Sequence, residues 1–283
     1  MRGLILLSFA LALRADERTQ QLAERLAREA QAFEEIAPSL VGRETLHQRV
    51  MAAPTRFKIR VGDAARHPVA AWREHEIVSE YAFAVLGREI HEIRQVTSVD
   101  GKQVAGQAQA QDALAKLITS HNDERKRRAL EQLEKYGLQG AAIDFGQILL
   151  LFMRGNLERY EITAAGPRLL GVVPAQVFHY RQLDGPDALT VFRGGSAAPT
   201  QRLSVEGEIW VREADGLPLR ITMAATDSST EKTLREEASV DYARSEFGTL
   251  LPVETTHREL RAGVEVEENK FTYSEFHRFG APH

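Results

Sequence analysis

The pattern of hydrophobic and polar positions in the C-terminal half predicts a long antiparallel hairpin. Ile209 and Val211 alternate with polar or aromatic neighbours, and the Asp-Gly pair at 215–216 supplies a turn. Leu217 and Met223 mark the two ends of a second alternating run. Such alternation is typical of antiparallel strands that bury one face of a sheet.

The same pattern recurs along most of the chain. A strand is predicted over 40–51 and a hairpin over 75–99, with a bulge between Ile93 and Val96 where the alternation slips. A short strand is also predicted at 57–61. Eight further strands are predicted at 157–164, 169–181, 188–193, 203–213, 217–226, 233–244, 250–261 and 264–279. Their spacing favours one open or half-closed antiparallel sheet.

Helical periodicity appears in three segments, over 16–37, 108–136 and 141–154. The first carries an apolar stripe made of Leu22, Leu26, Ala30, Phe33 and Ile36. The third contains the run 148–153, which is apolar on all sides and therefore predicts a helix buried on most sides. Together the elements predict an α+β fold, in which a large curved antiparallel sheet, a half-barrel, has helices packed on one face.

The first 15 residues have the pattern of a secretory signal peptide. Arg2 gives a short positive region, residues 3–13 are apolar, and Ala15 is a small residue at a plausible cleavage point. An apolar start of the first helix or strand is the alternative. Cleavage would leave a single domain, 16–283, with a helical insertion at about 108–154.

The absence of cysteine excludes disulfides, thiolate chemistry and a lipid-modified cysteine at the cleavage site. We therefore expect a soluble exported protein, periplasmic or secreted, that does not span the membrane after cleavage. A net charge of −4 does not indicate a nucleic-acid partner.

Candidate catalytic motifs are weak. The sequence has no His-x-x-x-His pair, no Gly-x-Ser-x-Gly turn and no glycine-rich phosphate loop. The pairs at 75–76 and 91–92, each His-Glu, could approach across a hairpin and bind Zn²⁺, although polar residues on an outer sheet face explain them more simply. The sequence thus predicts a protein that is not an enzyme, with no catalytic residue, no metal and no cofactor.

Four short sequence segments in the predicted strands resemble those of a known family. They are Gly-Glu-Ile-Trp-Val-Arg at 207–212, Asp-Gly-Leu-Pro-Leu-Arg-Ile at 215–221, Phe-Gly-Thr-Leu-Leu-Pro-Val at 247–253 and Arg-Gln-Val-Thr-Ser-Val-Asp-Gly-Lys-Gln-Val at 94–104. With the order of elements, they make 40–279 resemble the periplasmic lipoprotein carriers, the LolA/LolB-like half-barrels. The chain is also similar to exported bacterial proteins of unassigned function.

The resemblance implies an apolar cavity between sheet and helices that holds a lipid, an acyl chain or another hydrophobic small molecule. On this reading the cavity is lined by Phe83, Ile148, Leu149, Phe152 and Trp210. Two alternatives stay open at the sequence level. The run at 148–153 is a core helix or a lid, and Trp210 covers a sheet edge or lines the cavity. The alternative function is that of a protein–protein interaction or sensor module of the cell envelope, which presents the outer face of its sheet or an edge strand to a partner protein.

Overall fold

A computed structural model describes most of the chain. The described residues are 2–52, 71–87, 89–120, 122–130, 135–136, 144–184, 189–191, 201–227 and 233–279. The strand predicted at 57–61 and the start of the helix predicted at 141–154 lie outside these ranges.

One antiparallel sheet of eleven strands dominates the described structure. Its strands stand in the order β4-β3-β2-β1-β13-β12-β11-β10-β9-β6-β5, so the sheet is open, with β4 and β5 at its edges. The strands are β1 (Leu40–Met51), β2 (Trp72–Leu86), β3 (Glu89–Val99), β4 (Lys102–Gln103), β5 (Tyr160–Leu170), β6 (Val173–Gln182), β9 (Glu206–Arg212), β10 (Pro218–Asp227), β11 (Leu234–Arg244), β12 (Leu250–Arg261) and β13 (Val264–Arg278). A separate two-stranded sheet pairs β7 (Leu189–Val191) with β8 (Gln201–Leu203).

Near the centre of the sheet, the first strand of the chain pairs with the last one. β1 pairs with β13 from Leu40 opposite Arg278 to Val50 opposite Glu267. Most other neighbours are consecutive in sequence, and several of these pairs are joined by tight turns. Asp100 and Gly101 form one of these turns, and both have positive φ.

The inner face of the sheet, defined here as the face that carries Leu46, Phe83 and Ile209, is covered by the helix α1 (Arg2–Ile36). Two 3₁₀ helices, Ile148–Phe152 and Arg154–Arg159, extend this cover. The predicted stripe of α1 is confirmed, because Leu22, Leu26, Ala30 and Phe33 are buried in the main core and Ile36 packs against it. A third, shorter 3₁₀ helix, Ala37–Ser39, leads from α1 into β1.

The outer face is covered at the β1–β2–β3 end by α2 (Gln107–Ile118) and α3 (Asp123–Leu130). Here Leu114 and Leu117 of α2 form a second cluster with side chains from the sheet, among them Ala82 and Ile93. These two residues alternate in sequence with the inner-face residues, so α2 and α3 lie on the face opposite α1.

The predicted α+β fold with one large open antiparallel sheet is confirmed. Its helices cover both faces, however, rather than one. The helix predicted over 108–136 is interrupted near 119–122, where the Asn122 side chain accepts a hydrogen bond from the Arg125 amide, 3.1 Å, and caps the start of α3.

Within the run 148–153, Ile148–Phe152 forms a 3₁₀ helix rather than the α-helix that the sequence predicts. The hydroxyl of Tyr242 donates to the carbonyl of Gly146, 2.9 Å, and accepts from the amide of Leu149, 3.1 Å. A side chain of the sheet thus satisfies backbone groups that an α-helix would pair internally.

α1 includes the segment that resembles a signal peptide, whose cleavage stays a prediction. Within the described residues, no helix combines the length and apolar character needed to cross a membrane.

Candidate binding clefts

Four of the five residues assigned to a cavity wall lie together in the main core. Phe83, Leu149 and Phe152 are fully buried and Ile148 is nearly so. The Phe83 ring packs edge-on against the Phe33 ring of α1, with 5.0 Å between the ring centroids. The Phe152 and Tyr180 rings pack in the same way, with a centroid distance of 5.1 Å. These side chains therefore belong to a close-packed interior.

Trp210 lies on the opposite face of the sheet from these four residues. Its neighbours Ile209 and Val211 point into the main core, so the strand alternation turns Trp210 outward. There its indole N–H donates to Glu208, 3.0 Å, and the guanidinium of Arg168 stacks on its ring at 5.5 Å. Of the two sequence readings of Trp210, its position favours the one outside the cavity.

Two of the open spaces in the described structure lie where α1 crosses the β5–β6–β9 end of the sheet. The first space, which we call the arginine cleft, has a volume of about 490 Å³. It lies between α1, β6, β9 and the β9–β10 turn. Its lining residues are Arg18, Gln21, Leu22, Arg25, Arg28, Gln176, Phe178, Val211, Arg212, Glu213, Asp215 and Gly216. Leu22, Phe178 and Val211 are buried members of the main core and give the cleft an apolar floor.

The arginines of the cleft come from two elements. Arg18, Arg25 and Arg28 are spaced seven and three residues apart, which places them on one side of α1. Arg212 is the last residue of β9. Arg25 pairs with Glu29 at 2.9 Å and Arg212 with Asp215 at 3.5 Å. In the part of the chain that the structure describes, Arg18 and Arg28 make no ion pair.

The carboxylates of the cleft are engaged locally. Glu213 accepts a hydrogen bond from Gln176, 3.3 Å, and Asp215 accepts one from the Leu217 amide, 3.2 Å. The lining therefore holds four arginines and two acidic residues. The cleft thus has a local excess of positive charge, although the net charge of the whole chain is −4.

A second space, the α1–β5 cleft, lies on the other side of the same helix and has a volume of about 530 Å³. It is lined by Thr19, Gln20, Ala23, Leu157, Tyr160, Ile162, Thr163 and Ala164. Burial raises the pKa of Tyr160 to about 12, so its hydroxyl is neutral at physiological pH. This cleft is thus mainly apolar and uncharged.

The inner face also carries buried polar groups. Glu236, Glu259 and Glu267 stand directly opposite one another on β11, β12 and β13. His257 bonds to Glu236 at 2.7 Å, and Phe145 stacks on its ring. Burial, together with the charges of Glu259 and Glu236, outweighs the hydrogen bond from Asn269 and raises the pKa of Glu267 to about 8.

The two His-Glu pairs do not meet. In the β2–β3 register His91 lies beside Ala84, nine residues from His75 along β2. His75 bonds to Asp100 at 3.0 Å and His91 to Asp144 at 2.8 Å. Across the described ranges, no group of three or more His, Asp or Glu side chains has an arrangement that could hold a metal ion.

The arginine cleft was not predicted from the sequence. Its signal is present in α1, where three arginines follow one side of the apolar stripe, but the partner wall comes from β6 and β9, more than 140 residues later. A helix pattern alone does not show which strand faces it.

The fold defines a class of protein, the open antiparallel half-barrel with a long N-terminal helix against its inner face. No family model matches the sequence, and no curated protein matches it either.

Solved structures with a similar arrangement include three bacterial proteins. A protein of the DUF1329 family from Desulfovibrio piger has a TM-score of 0.35 at 10% identity, covering 94% of this chain and 95% of that one. A putative outer membrane lipoprotein-sorting protein domain from Vibrio parahaemolyticus has a TM-score of 0.37 at 9% identity, covering 91% and 95%. A LolA superfamily protein from Nitrosomonas europaea has a TM-score of 0.34 at 11% identity, covering 92% and 94%.

Proposed function

We propose that this protein is an exported, non-catalytic binding protein for a hydrophobic ligand such as a lipid or an acyl chain. The observation that carries the proposal is the arginine cleft, in which Leu22, Phe178 and Val211 form an apolar floor beside open space. Its volume of about 490 Å³ falls within the range of small-molecule sites.

Burial of an acyl chain supplies the binding energy. Each methylene group removed from water gains roughly 0.8 kcal/mol, and this gain needs no directed polar contact. The α1–β5 cleft lies across the same turns of α1, because Thr19 and Gln20 line one space while Gln21 and Leu22 line the other. In this proposal the chain of a longer ligand extends along α1 against the sheet.

The residues first assigned to the ligand cavity keep a supporting role in the proposal. Phe83, Ile148, Leu149 and Phe152 share one core cluster with the floor of the cleft. They hold the sheet and α1 in place behind the ligand. Trp210, on the opposite face, lies outside the proposed contact surface.

Two measurements test the binding of a hydrophobic ligand. Native mass spectrometry of gently purified protein is expected to show a co-purified lipid, and a fluorescent fatty acid is expected to bind in titration. Absence of both would overturn the proposal.

A matched pair of variants locates the ligand. Gln21→Trp places a large side chain in the cleft, whereas Gln31→Trp makes the same change at another exposed position of α1, outside the cleft. We expect Gln21→Trp to weaken fatty-acid binding at least tenfold and Gln31→Trp to leave it unchanged. Equal affinities for the two variants would place the ligand elsewhere.

A second candidate function, interaction with an envelope protein, is favoured by the tip of the β5–β6 hairpin. Leu169 is 67% exposed and Val172 is 93% exposed, and β5 is an edge strand of the sheet. Exposed apolar side chains next to an unpaired strand edge are typical of protein contact sites.

A cross-linking pull-down from envelope extract tests this second function. A partner that is lost with Leu169→Asp plus Val172→Asp supports it, provided that the partner is retained with Val264→Asp. Val264 is a suitable control because it is 55% exposed at the start of β13, next to the β12–β13 turn. Retention of the partner in all variants would contradict it.

A further inference from the structure

We propose that the ligand of the arginine cleft carries an anionic head group, a carboxylate or a phosphate. This inference rests on the proposed binding of a hydrophobic ligand in the same cleft and adds the chemistry of its polar end. It rests on the cationic rim of the cleft, which we define as Arg18, Arg28 and Arg212. An uncharged apolar ligand would gain nothing from these charges.

The rim combines arginines from α1 and from the end of β9. Arg18 and Arg28 are exposed on α1 and make no ion pair with any described residue. Arg212, the last residue of β9, also lines the cleft, and its contact with Asp215 is long, at 3.5 Å. A guanidinium presents several N–H donors in a plane that fits carboxylate and phosphate oxygens. An anion at the rim would thus find donors that the protein itself leaves available.

The floor and the rim together match an amphiphile. The head group would lie among the arginines at the surface, while the chain would lie on Leu22, Phe178 and Val211 below them. An ammonium head group is disfavoured by the same arginines, because like charges repel at this range. The cleft thus selects by the sign of the head-group charge as well as by the chain.

Four ligands with equal chains separate these contributions, each used below its micellar concentration on the full chain. Dodecanoate and dodecyl phosphate are expected to bind at least tenfold more tightly than dodecanol and dodecyltrimethylammonium. The preference is expected to shrink in high salt because the ions screen the arginines. Comparison of the first two shows whether carboxylate or phosphate is the better head group.

Paired variants assign the preference to the rim. Arg18→Gln plus Arg28→Gln is expected to lower dodecanoate affinity about tenfold and to leave dodecanol affinity unchanged. Since neither arginine is ion-paired with a described residue, the folded state is expected to be retained, which circular dichroism checks. The control is Arg73→Gln plus Arg125→Gln, which removes the same charge from exposed positions outside the cleft.

The outcomes distinguish the two proposals. Binding of none of the four ligands would overturn the proposed function itself. Equal binding of dodecanol and dodecanoate, with no effect of the rim variant, would overturn the anionic head group and leave the hydrophobic site in place.

Discussion

The guanidinium of Arg94 holds the carboxylate of Glu44 through two parallel hydrogen bonds of 2.7 Å, although both side chains are buried in the inner face of the sheet. Arg94 also bonds to Glu92 at 2.6 Å, so one buried cation serves two buried carboxylates. The arrangement lies beside the buried rings of Tyr81 and Phe271.

Removal of this cation is expected to be costly. Arg94→Leu leaves Glu44 and Glu92 buried without their partner, so we expect a loss of about 3–5 kcal/mol in the free energy of unfolding, measured by urea denaturation. Arg181→Leu is the control, because the Arg181–Glu161 pair is exposed and is expected to contribute less than about 1 kcal/mol. Similar losses for both variants would show that the buried contacts of Arg94 with Glu44 and Glu92 stabilise the fold no more than an exposed ion pair does.

The buried carboxylate of Glu267 is expected to make stability depend on pH. Its pKa is raised from 4.5 to about 8, so the folded state holds a proton that the unfolded state releases. Stability is therefore expected to fall as pH rises from about 4.5 to about 8.

Glu267→Gln removes the titrating group and keeps an oxygen that can accept from Asn269. We expect this variant to exceed the wild type by more than about 1 kcal/mol at pH 9 and to match it near pH 4, since one pKa unit corresponds to about 1.4 kcal/mol. Denaturation at the two pH values measures the difference, with exposed Glu158→Gln as the control. A gain that is equal at both pH values would contradict the assignment.

The missing side chain of Gly207 leaves room for the Tyr180 ring, which packs over this position. The two residues are directly opposite on β6 and β9, and the Tyr180 hydroxyl donates to the carbonyl of Thr222, 2.8 Å. A Cβ at position 207 would collide with that carbonyl and come within 2.9 Å of the Tyr180 ring. We expect Gly207→Ala to lower the unfolding free energy by about 1–3 kcal/mol. Gly155→Ala, which meets open space, is expected to be nearly neutral.

Leu149 and Trp210 are expected to behave differently when truncated. Leu149→Ala opens a cavity in the packed core and is expected to cost about 2–5 kcal/mol. Trp210 is half-buried on the outer face, so Trp210→Ala is expected to cost less and to leave fatty-acid binding unchanged. Thermal denaturation and the same fatty-acid titration measure both effects. Loss of binding in Trp210→Ala would place the ligand on the outer face instead.

Most of the strands and the buried side of α1 could be predicted because periodicity is a property of each element by itself. Alternation marks the inward residues of β9, and it also separates Trp210 from Ile209 and Val211, although the predicted cavity grouped Trp210 with inward residues. The run at 148–153 shows the limit of such local reasoning. The α-helix that its pattern predicts does not form, because Tyr242 bonds the backbone of Gly146 and Leu149. Tyr242 comes from a strand some 90 residues later in the sequence.

The sequence by itself determined which side of each strand and helix is apolar, and hence the α+β class with one large antiparallel sheet. Only the tertiary structure decided which element covers which face, so that α1 and α2 lie on opposite sides of the sheet. It also brought the arginines of α1 and Arg212 into the lining of one cleft. The physical reason is that an apolar stripe is buried equally well by any partner of suitable shape, so the choice of partner depends on the packing of the whole chain.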